Sequence, residues 1–414
     1  MRAYSRLLES LVRLGSIGTH DVLNSVNLVI NEFRREFLYA IYTWNTDANI
    51  EVYFRRFNIQ VFDGSLKIQG DGRGVEEASR LILRNTLIGS GKKVVMLFKD
   101  EGDEYVKVPT KPEFAITVNP AVSFIASSIL TLVIFLMLTR YGIALTVISV
   151  IAQVVAVNML YTYLSFTRMV KVRVDGSRII KVTVTLPINT PEDTLFRLIS
   201  YASSLRRVKR EELTQVITIL RAIGGSTQVS IGVDYLTIPS INGVKIYLVP
   251  SPDCNAVSMN LLGKFIVIGT KLVACLNQGE LEAVINHELG HIVHLDTYKS
   301  LIASIIYSLA SAIMLFYVIP VIGLTPLSVV IYVSIILAAI VISLALSRLN
   351  EVKADLYALS RGYRVPLATA LVKVTYPSIY STPIKAVFLS HPSTLSRVNK
   401  LLRATGKHTV NSYS

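Results

Sequence analysis

Two histidines four residues apart, His287 and His291, with Glu288 directly after the first, lie on one face of a helix where they can share a metal ion. A glutamate beside a metal-bound pair of this kind can act as general base on a water molecule, which makes the segment a mechanism as well as a pattern. The same five residue types also occur on ordinary surface helices, so the surrounding chain has to carry the argument. A catalytic zinc usually takes three protein donors and leaves its fourth position to water. The best third donor is Glu351, in a stretch where Arg348, Glu351 and Asp355 fall on one helical face. Taken alone, those charges also fit a salt-bridged, solvated helix. His294, three residues after His291, reads as a polar helix residue and not as a ligand.

The elements that must position these residues begin with Asn277-Gln278-Gly279-Glu280, a capping-box pattern that opens the helix carrying the histidines. Upstream, Val244–Val249, Ala256–Met259 and Phe265–Ile268 alternate with turn residues as short strands do. Val170–Val174 and Ile179–Thr185 flank Asp175-Gly176, which predicts a β-hairpin. Helical patterns follow over Pro191–Leu205 and Glu211–Ile223.

The composition points to lipid. Of 414 residues, 51% are hydrophobic and 17% charged, and the mean hydropathy is +0.50, beyond the range of soluble domains. Four windows are long and apolar enough to span a bilayer: Ala121–Leu138, Ile143–Phe166, Leu301–Ile319 and Leu327–Leu346. They form two hairpins. Arg168, Lys171, Arg173, Lys299, Arg348 and Lys353 all flank the side opposite the hairpin turns, so the positive-inside rule puts the termini and the central segment in the cytoplasm of a multi-pass cell-membrane protein. His291 precedes the third span by ten residues and Glu351 follows the fourth by five, so an antiparallel hairpin brings them together just below the membrane surface. The net charge of +14 then reads as a topology and anionic-lipid signal. No compact basic cluster with interleaved aromatics supports nucleic-acid binding. The spans contain no Asp, Glu, Lys, Arg or His, which argues against an ion path. Glu9 and Arg13 interrupt any apolar run near the start, so no cleaved leader is expected. Cys254 and Cys275 fit a reducing compartment and predict neither a disulfide framework nor a zinc site.

The expected fold is an α+β membrane protein with four transmembrane helices in two hairpins, a zincin-like catalytic domain with a small β-sheet and the HExxH helix, and an N-terminal α+β domain. The boundaries are 1–119 for the N-terminal cytoplasmic domain, 120–167 and 301–346 for the hairpins, 168–300 and 347–404 for the two parts of the catalytic domain, and 405–414 for a flexible tail. Within the first segment, Arg2–Leu14, Asp21–Tyr42 and Val75–Asn85 read as helical, and Glu51–Val61, Leu66–Gln69, Lys93–Phe98 and Tyr105–Val108 as strand-like. Gly70-Asp71-Gly72-Arg73-Gly74 lacks the Lys-Ser/Thr of a phosphate loop and reads as a turn.

Over about residues 115–400 the sequence resembles the HtpX-like integral-membrane zinc metallopeptidases, relatives of the CAAX prenyl endopeptidases. The resemblance rests on Glu280-Leu281-Glu282-Ala283-Val284 leading into the HExxH pentapeptide, on Asp296 after it, and on Arg348, Glu351, Ala354 and Asp355 downstream. It further includes Asn255-Ala256 after a strand, and His391-Pro392 with Arg397 six residues later. Val257 stands where the family often has Phe, and residues 1–119 exceed its usual core.

The resemblance implies one Zn²⁺ per chain held by His287, His291 and Glu351, with Glu288 as general base. It also implies a transition-state role or zinc contact for His391, although that residue equally fits a helix N-terminal or core histidine. Asp355 reads as the carboxylate that orients a zinc-bound imidazole, Arg397 and Arg348 as further supports of the site, and Asn255 and Ala256 as the start of a substrate-binding edge strand. The implied activity is cleavage of misfolded or membrane-protein loops at the cytoplasmic face. A CAAX-type prenyl endopeptidase and a catalytically silent zinc-binding scaffold or chaperone remain the alternatives. The implied partners are the bilayer and protein or peptide substrates, with oligomerisation left open.

Overall fold

The computed structural model describes residues 3–13, 17, 19–44, 48–62, 65–88, 92–109, 143–168, 170–187, 189–225, 229–251, 254–323, 325–375 and 394–403. The expected first span, Ala121–Leu138, lies outside the described residues, as does the expected tail.

The N-terminal part contains α1 (Ala3–Arg13) and α2 (Thr19–Glu32), then strands β1 (Phe37–Trp44), β2 (Ala48–Phe54), β3 (Phe57–Phe62) and β4 (Ser65–Gly70), then α3 (Gly72–Ile88). The strands form an antiparallel meander in chain order. Alternation makes the sheet amphipathic: Ile50 and Val52 of β2, Ile59 and Val61 of β3, and Leu66 and Ile68 of β4 are buried against Leu7, Leu8 and Leu11 of α1 and Ile82 and Leu83 of α3. Two sequence expectations change here. The helix expected over Asp21–Tyr42 stops at Glu32, and its aromatic, β-branched end joins β1. The strand expected over Glu51–Val61 is two strands turning at Arg55-Arg56, which buries one face of each. Gly70–Gly74 forms the junction between β4 and α3. A Cβ at Gly70 (φ 138°) would lie 2.3 Å from the Arg56 carbonyl oxygen, so only glycine fits there.

A second antiparallel sheet, in the order β10-β8-β5-β6-β9, joins β5 (Lys92–Asp100) and β6 (Glu104–Lys107) to β8 (Arg178–Leu186), β9 (Arg207–Lys209) and β10 (Ser230–Thr237). Strands from the segment 1–119 thus pair directly with strands of the catalytic half. Helices α5 (Glu192–Ser204) and α6 (Leu213–Gly224) cover this sheet through Leu198, Val216 and Leu220.

The third sheet, β12-β13-β11-β7, contains β7 (Val172–Arg173), β11 (Lys245–Val249), β12 (Ala256–Met259) and β13 (Phe265–Gly269), with β11 and β13 parallel. The turn at Asp175-Gly176 forms as expected, yet β7 and β8 do not pair as a hairpin. β7 pairs with β11, and β8 sits between β5 and β10. The turn fixes only local direction; burial of Ile179, Ile180, Val182 and Val184 decides where β8 goes.

Between β6 and β7 lies α4 (Ile143–Arg168), and after β13 come α7 (Thr270–Cys275), α8 (Gln278–Val293) and α9 (Asp296–Ile313). A π-helical turn over Met314–Val318 and the short α10 (Ile319–Ile322) lead to α11 (Pro326–Ser360), α12 (Arg364–Thr375) and α13 (Thr394–Arg403). Among the described residues α11 is the one helix found long and apolar enough to cross a membrane, by length and composition. Its Val330, Leu337, Val341 and Ile342 are exposed, the reverse of a soluble helix. Helix α4 packs on α9 through Val150, Val154 and Ala312.

Candidate metal centre

Helix α8 starts where the sequence says it should. The Asn277 side chain accepts a hydrogen bond from the Glu280 backbone N–H at 2.9 Å, and the Asn277 N–H donates to Glu280 Oε2 at 2.9 Å. The Lys373 ammonium of α12 adds a 2.8 Å contact to the same carboxylate. Leu281, Ile285 and Ile292 anchor α8 on Ile246 and Leu248 of β11 and on Ile266 and Ile268 of β13. That fixes the rotation of the helix and turns His287 and His291 towards α11, with Glu288 buried beside them.

Close approach of α8 and α11 depends on small residues. A Cβ at Gly290 would lie 2.9 Å from Ala354 Cα, so the glycine inside the HExxH motif is where the two backbones meet. Glu351, one turn before Ala354, is thereby brought against both histidines. His287 Nε2 is 3.3 Å from His291 Nε2 and 3.5 Å from Glu351 Oε2, and His291 Nε2 is 3.8 Å from Glu351 Oε1. Donor atoms about 2.1 Å from a tetrahedral metal stand about 3.4 Å apart. The three side chains therefore fit a divalent ion with two imidazole donors and one carboxylate, and their donor atoms all fall within 4.8 Å of one another.

The other ring nitrogens face carboxylates. Asp296 Oδ2 lies 2.8 Å from His291 Nδ1, and its Oδ1 accepts from Lys299 Nζ at 2.9 Å. Asp296 reaches back because the chain reverses through Leu295, whose φ of 56° is the left-handed conformation that costs a non-glycine residue about 1–2 kcal/mol. Asp355 Oδ1 lies 3.1 Å from His287 Nδ1. The Asp296 contact is a hydrogen bond that holds Nε2 of His291 as the metal-facing donor and raises its basicity, whereas Asp355 faces His287 Nδ1 as a nearby charge outside hydrogen-bond geometry.

Arg397, from α13, ties the carboxylates together. Its Nε and one terminal nitrogen donate to both oxygens of Asp355 at 2.8 and 2.6 Å, and its other terminal nitrogen is 2.9 Å from Glu351 Oε2. Burial works against the charged form of His287, but Asp355 and then Glu351 outweigh it and hold the pKa up at about 9. Burial likewise raises Asp355, yet the contacts with His287 and Arg397 leave its pKa below the ordinary value. Such a cluster of acids attracts a cation, and a divalent metal can take the place of the His287 proton.

The remaining sequence candidates are placed as follows. Arg348 lies on α11 one turn before Glu351, half-buried. Asn255 is exposed at the start of β12, and its carbonyl accepts from the Gly269 N–H at 2.9 Å; Ala256 pairs with Ile268. Strand β12 is the sheet edge that runs beside α8, and Asn260 ties the two by donating to the Ile292 carbonyl at 3.3 Å. His391 lies outside the described residues. His294 ends α8 and faces the Tyr357 ring, away from the ligand cluster's contacts. Sequence reasoning did not assign the helix-contact role of Gly290 or the bridging of Glu351 and Asp355 by one guanidinium. A glycine inside a strong helix pattern was the available signal for the first.

Residues 230–405 match the profile of Peptidase family M48, a span that includes His287, His291, Glu351, Asp355 and Arg397. That segment is similar to the metallopeptidases of family M48 and to HtpX proteases. The "Protease HtpX homolog" of Campylobacter concisus (strain 13826) is 29% identical over 199 residues, which cover 38% of this chain and 67% of that protein. The "Plastoglobule-localized metallopeptidase 48, chloroplastic" of Arabidopsis thaliana is 32% identical over 117 residues, covering 26% of this chain and 34% of that one. The chain thus spans about two thirds of the first relative and about a third of the second. A solved structure, the crystal structure of S. mikatae Ste24p, aligns over 38% of this chain and 44% of its own with 21% identity and a TM-score of 0.31.

Proposed function

We propose that this chain is a membrane-bound zinc endopeptidase that cleaves exposed or misfolded loops of membrane proteins at the cytoplasmic face. The observation that carries the reading is the convergence of His287, His291 and Glu351 with a carboxylate behind each imidazole and Glu288 buried beside them. Two imidazoles and a carboxylate suit zinc. When bound, the metal supplies Lewis acidity, which acidifies a water molecule and polarises a peptide carbonyl. Glu288 takes the water proton and returns it to the leaving amine. Asp296 and Asp355 orient the imidazoles, and Arg397 offsets the charge of Glu351 and Asp355. Arg348 supports Glu351 from the preceding turn. His391 donates a hydrogen bond to the developing oxyanion, an interaction worth roughly 3–4 kcal/mol in other enzymes.

Substrate backbone adds to the open edge at Asn255 and Ala256 as a further strand, which would lay an extended peptide alongside α8. Membrane placement rests on the outward-facing apolar residues of α11, on the apolar lengths of α4 and of the α9–α10 stretch, and on the basic residues that flank them. On this reading four spans form two hairpins, and Glu351 lies about 8 Å beyond the end of the fourth.

The test is purification in detergent without metal, followed by zinc addition, with self-cleavage and casein cleavage compared in the wild-type chain and Glu288→Gln. Zinc-dependent cleavage lost in Glu288→Gln, with zinc still bound, is expected. Cleavage that survives the substitution would overturn the mechanism. Stoichiometric zinc without cleavage in either protein would indicate a zinc-binding scaffold.

A further inference from the structure

Two thiols 21 residues apart in the chain meet beside the edge strand, with Cys254 Sγ 3.6 Å from Cys275 Sγ. Their spacing alone gives no sign of this. The segment between them runs out along β12, back along antiparallel β13 and into α7, so its two ends return to one place. Cys254 directly precedes Asn255 and β12. Cys275 is the last residue of α7, two before the Asn277 cap of α8.

The two sulfurs differ in a way that assigns their order of reaction. Cys275 is exposed and Cys254 half-buried. The Cys254 contact, against the effect of burial, holds the Cys275 thiol down at about 6, with the ammonium groups of Lys271, Lys373 and Lys181 adding to the effect. That depression favours the thiolate of Cys275, the form that reacts with disulfides, and its exposure makes Cys275 the sulfur that a small disulfide reaches first. Lys181 is itself held in place by the Leu276 carbonyl, which accepts from its Nζ at 2.8 Å.

We propose that Cys254 and Cys275 form a redox-active dithiol that closes to an intramolecular disulfide and staples the start of β12 to the end of α7. The oxidant is a small disulfide of the glutathione class. The Cys275 thiolate attacks one of its sulfurs, the S–S bond breaks, and one small thiolate leaves behind a mixed disulfide on Cys275. Cys254 then loses its proton, attacks Cys275 Sγ and expels the second small thiolate. Two electrons pass from the protein to the small disulfide, which ends as two thiols after taking up two protons. The sulfurs need to approach by about 1.5 Å to reach bonding distance, a movement that side-chain rotation can supply.

The readouts are thiol chemistry, so the proposal stands apart from the peptidase reading. The full chain in detergent is reduced, equilibrated in buffers of varying reduced-to-oxidised glutathione ratio, quenched with an alkylating reagent and analysed by mass spectrometry. The wild-type protein is expected to lose both alkylation sites together, retain no glutathione and yield a Cys254–Cys275 linked peptide. Its apparent unfolding temperature should rise by a few degrees on oxidation. Cys254→Ser should retain one glutathione on Cys275, and Cys275→Ser should leave Cys254 alkylatable. Two free thiols in the wild-type chain at every ratio, stable glutathione adducts, or links between chains would overturn the proposal. The wild-type result decides it even if a variant fails to fold.

Discussion

A methyl group added at Gly290 tests whether close packing of α8 and α11 builds the metal centre. In Gly290→Ala the new Cβ would lie 2.9 Å from Ala354 Cα, 3.1 Å from Tyr357 Cβ and 3.3 Å from the Ala354 carbonyl oxygen. Carbon atoms settle at about 3.5–4.0 Å, so the helices must separate by roughly 0.6–1 Å. Overpacking of this kind costs about 1–3 kcal/mol. Alanine returns about 1 kcal/mol through helix propensity, leaving a net loss of roughly 0–2 kcal/mol. The larger effect falls on the metal. Glu351 lies one turn before Ala354, and donor distances tolerate only about 0.2 Å. Zinc affinity should drop by about 10–100-fold, the scale on which misplaced ligand supports act. Competition against a chromophoric chelator measures this, with thermal unfolding in detergent alongside. Gly279→Ala is the matched control on the same helix, because its Cβ meets Pro366 Cγ no closer than 3.8 Å; it should bind zinc normally and be as stable as wild type or more so. Wild-type zinc affinity in Gly290→Ala would refute the idea that this contact sets the donor geometry.

Two further outcomes follow from the buried charges. Arg397→Met removes the cation shared by Glu351 and Asp355, and should destabilise the metal-free protein by about 3–5 kcal/mol in denaturant titration; a change below about 1 kcal/mol would show that the guanidinium is not a counter-charge for the acids. His287 has a pKa of about 9 in the folded metal-free protein, above its ordinary value of 6.5. Its proton therefore contributes stability that is fully present below about pH 6.5 and is lost as pH rises through about 9. Metal-free protein should unfold more readily across that window, and His287→Gln should remove this slope; an unchanged slope in the variant would place its origin elsewhere.

The elements that present the candidate site were legible in the chain because their information is local. The capping box at Asn277 and Glu280, the i, i+4 spacing of His287 and His291, and the shared face of Glu351 and Asp355 depend on helical geometry within a turn or two. Strand pairing was not legible in the same way. Asp175-Gly176 makes its turn, but β7 and β8 part because each buries its apolar residues against different strands. The segment 1–119 read as separate, yet Leu7, Leu8 and Ile82 share one core with Ala358, Leu367 and Val398, next to the helices that carry Glu351 and Arg397.

The sequence by itself determined a helix that presents two histidines and a glutamate, a second helix that presents a carboxylate, and the apolar lengths between them. These follow from period, capping and composition, which each stretch of chain satisfies alone. Only the tertiary structure decided that Gly290 meets Ala354, that Arg397 spans Glu351 and Asp355, that Asp296 turns back to His291 through Leu295, and that Cys254 meets Cys275. Those contacts join residues whose encounter is set by how three sheets and their helices share buried surface, and no local preference encodes that choice.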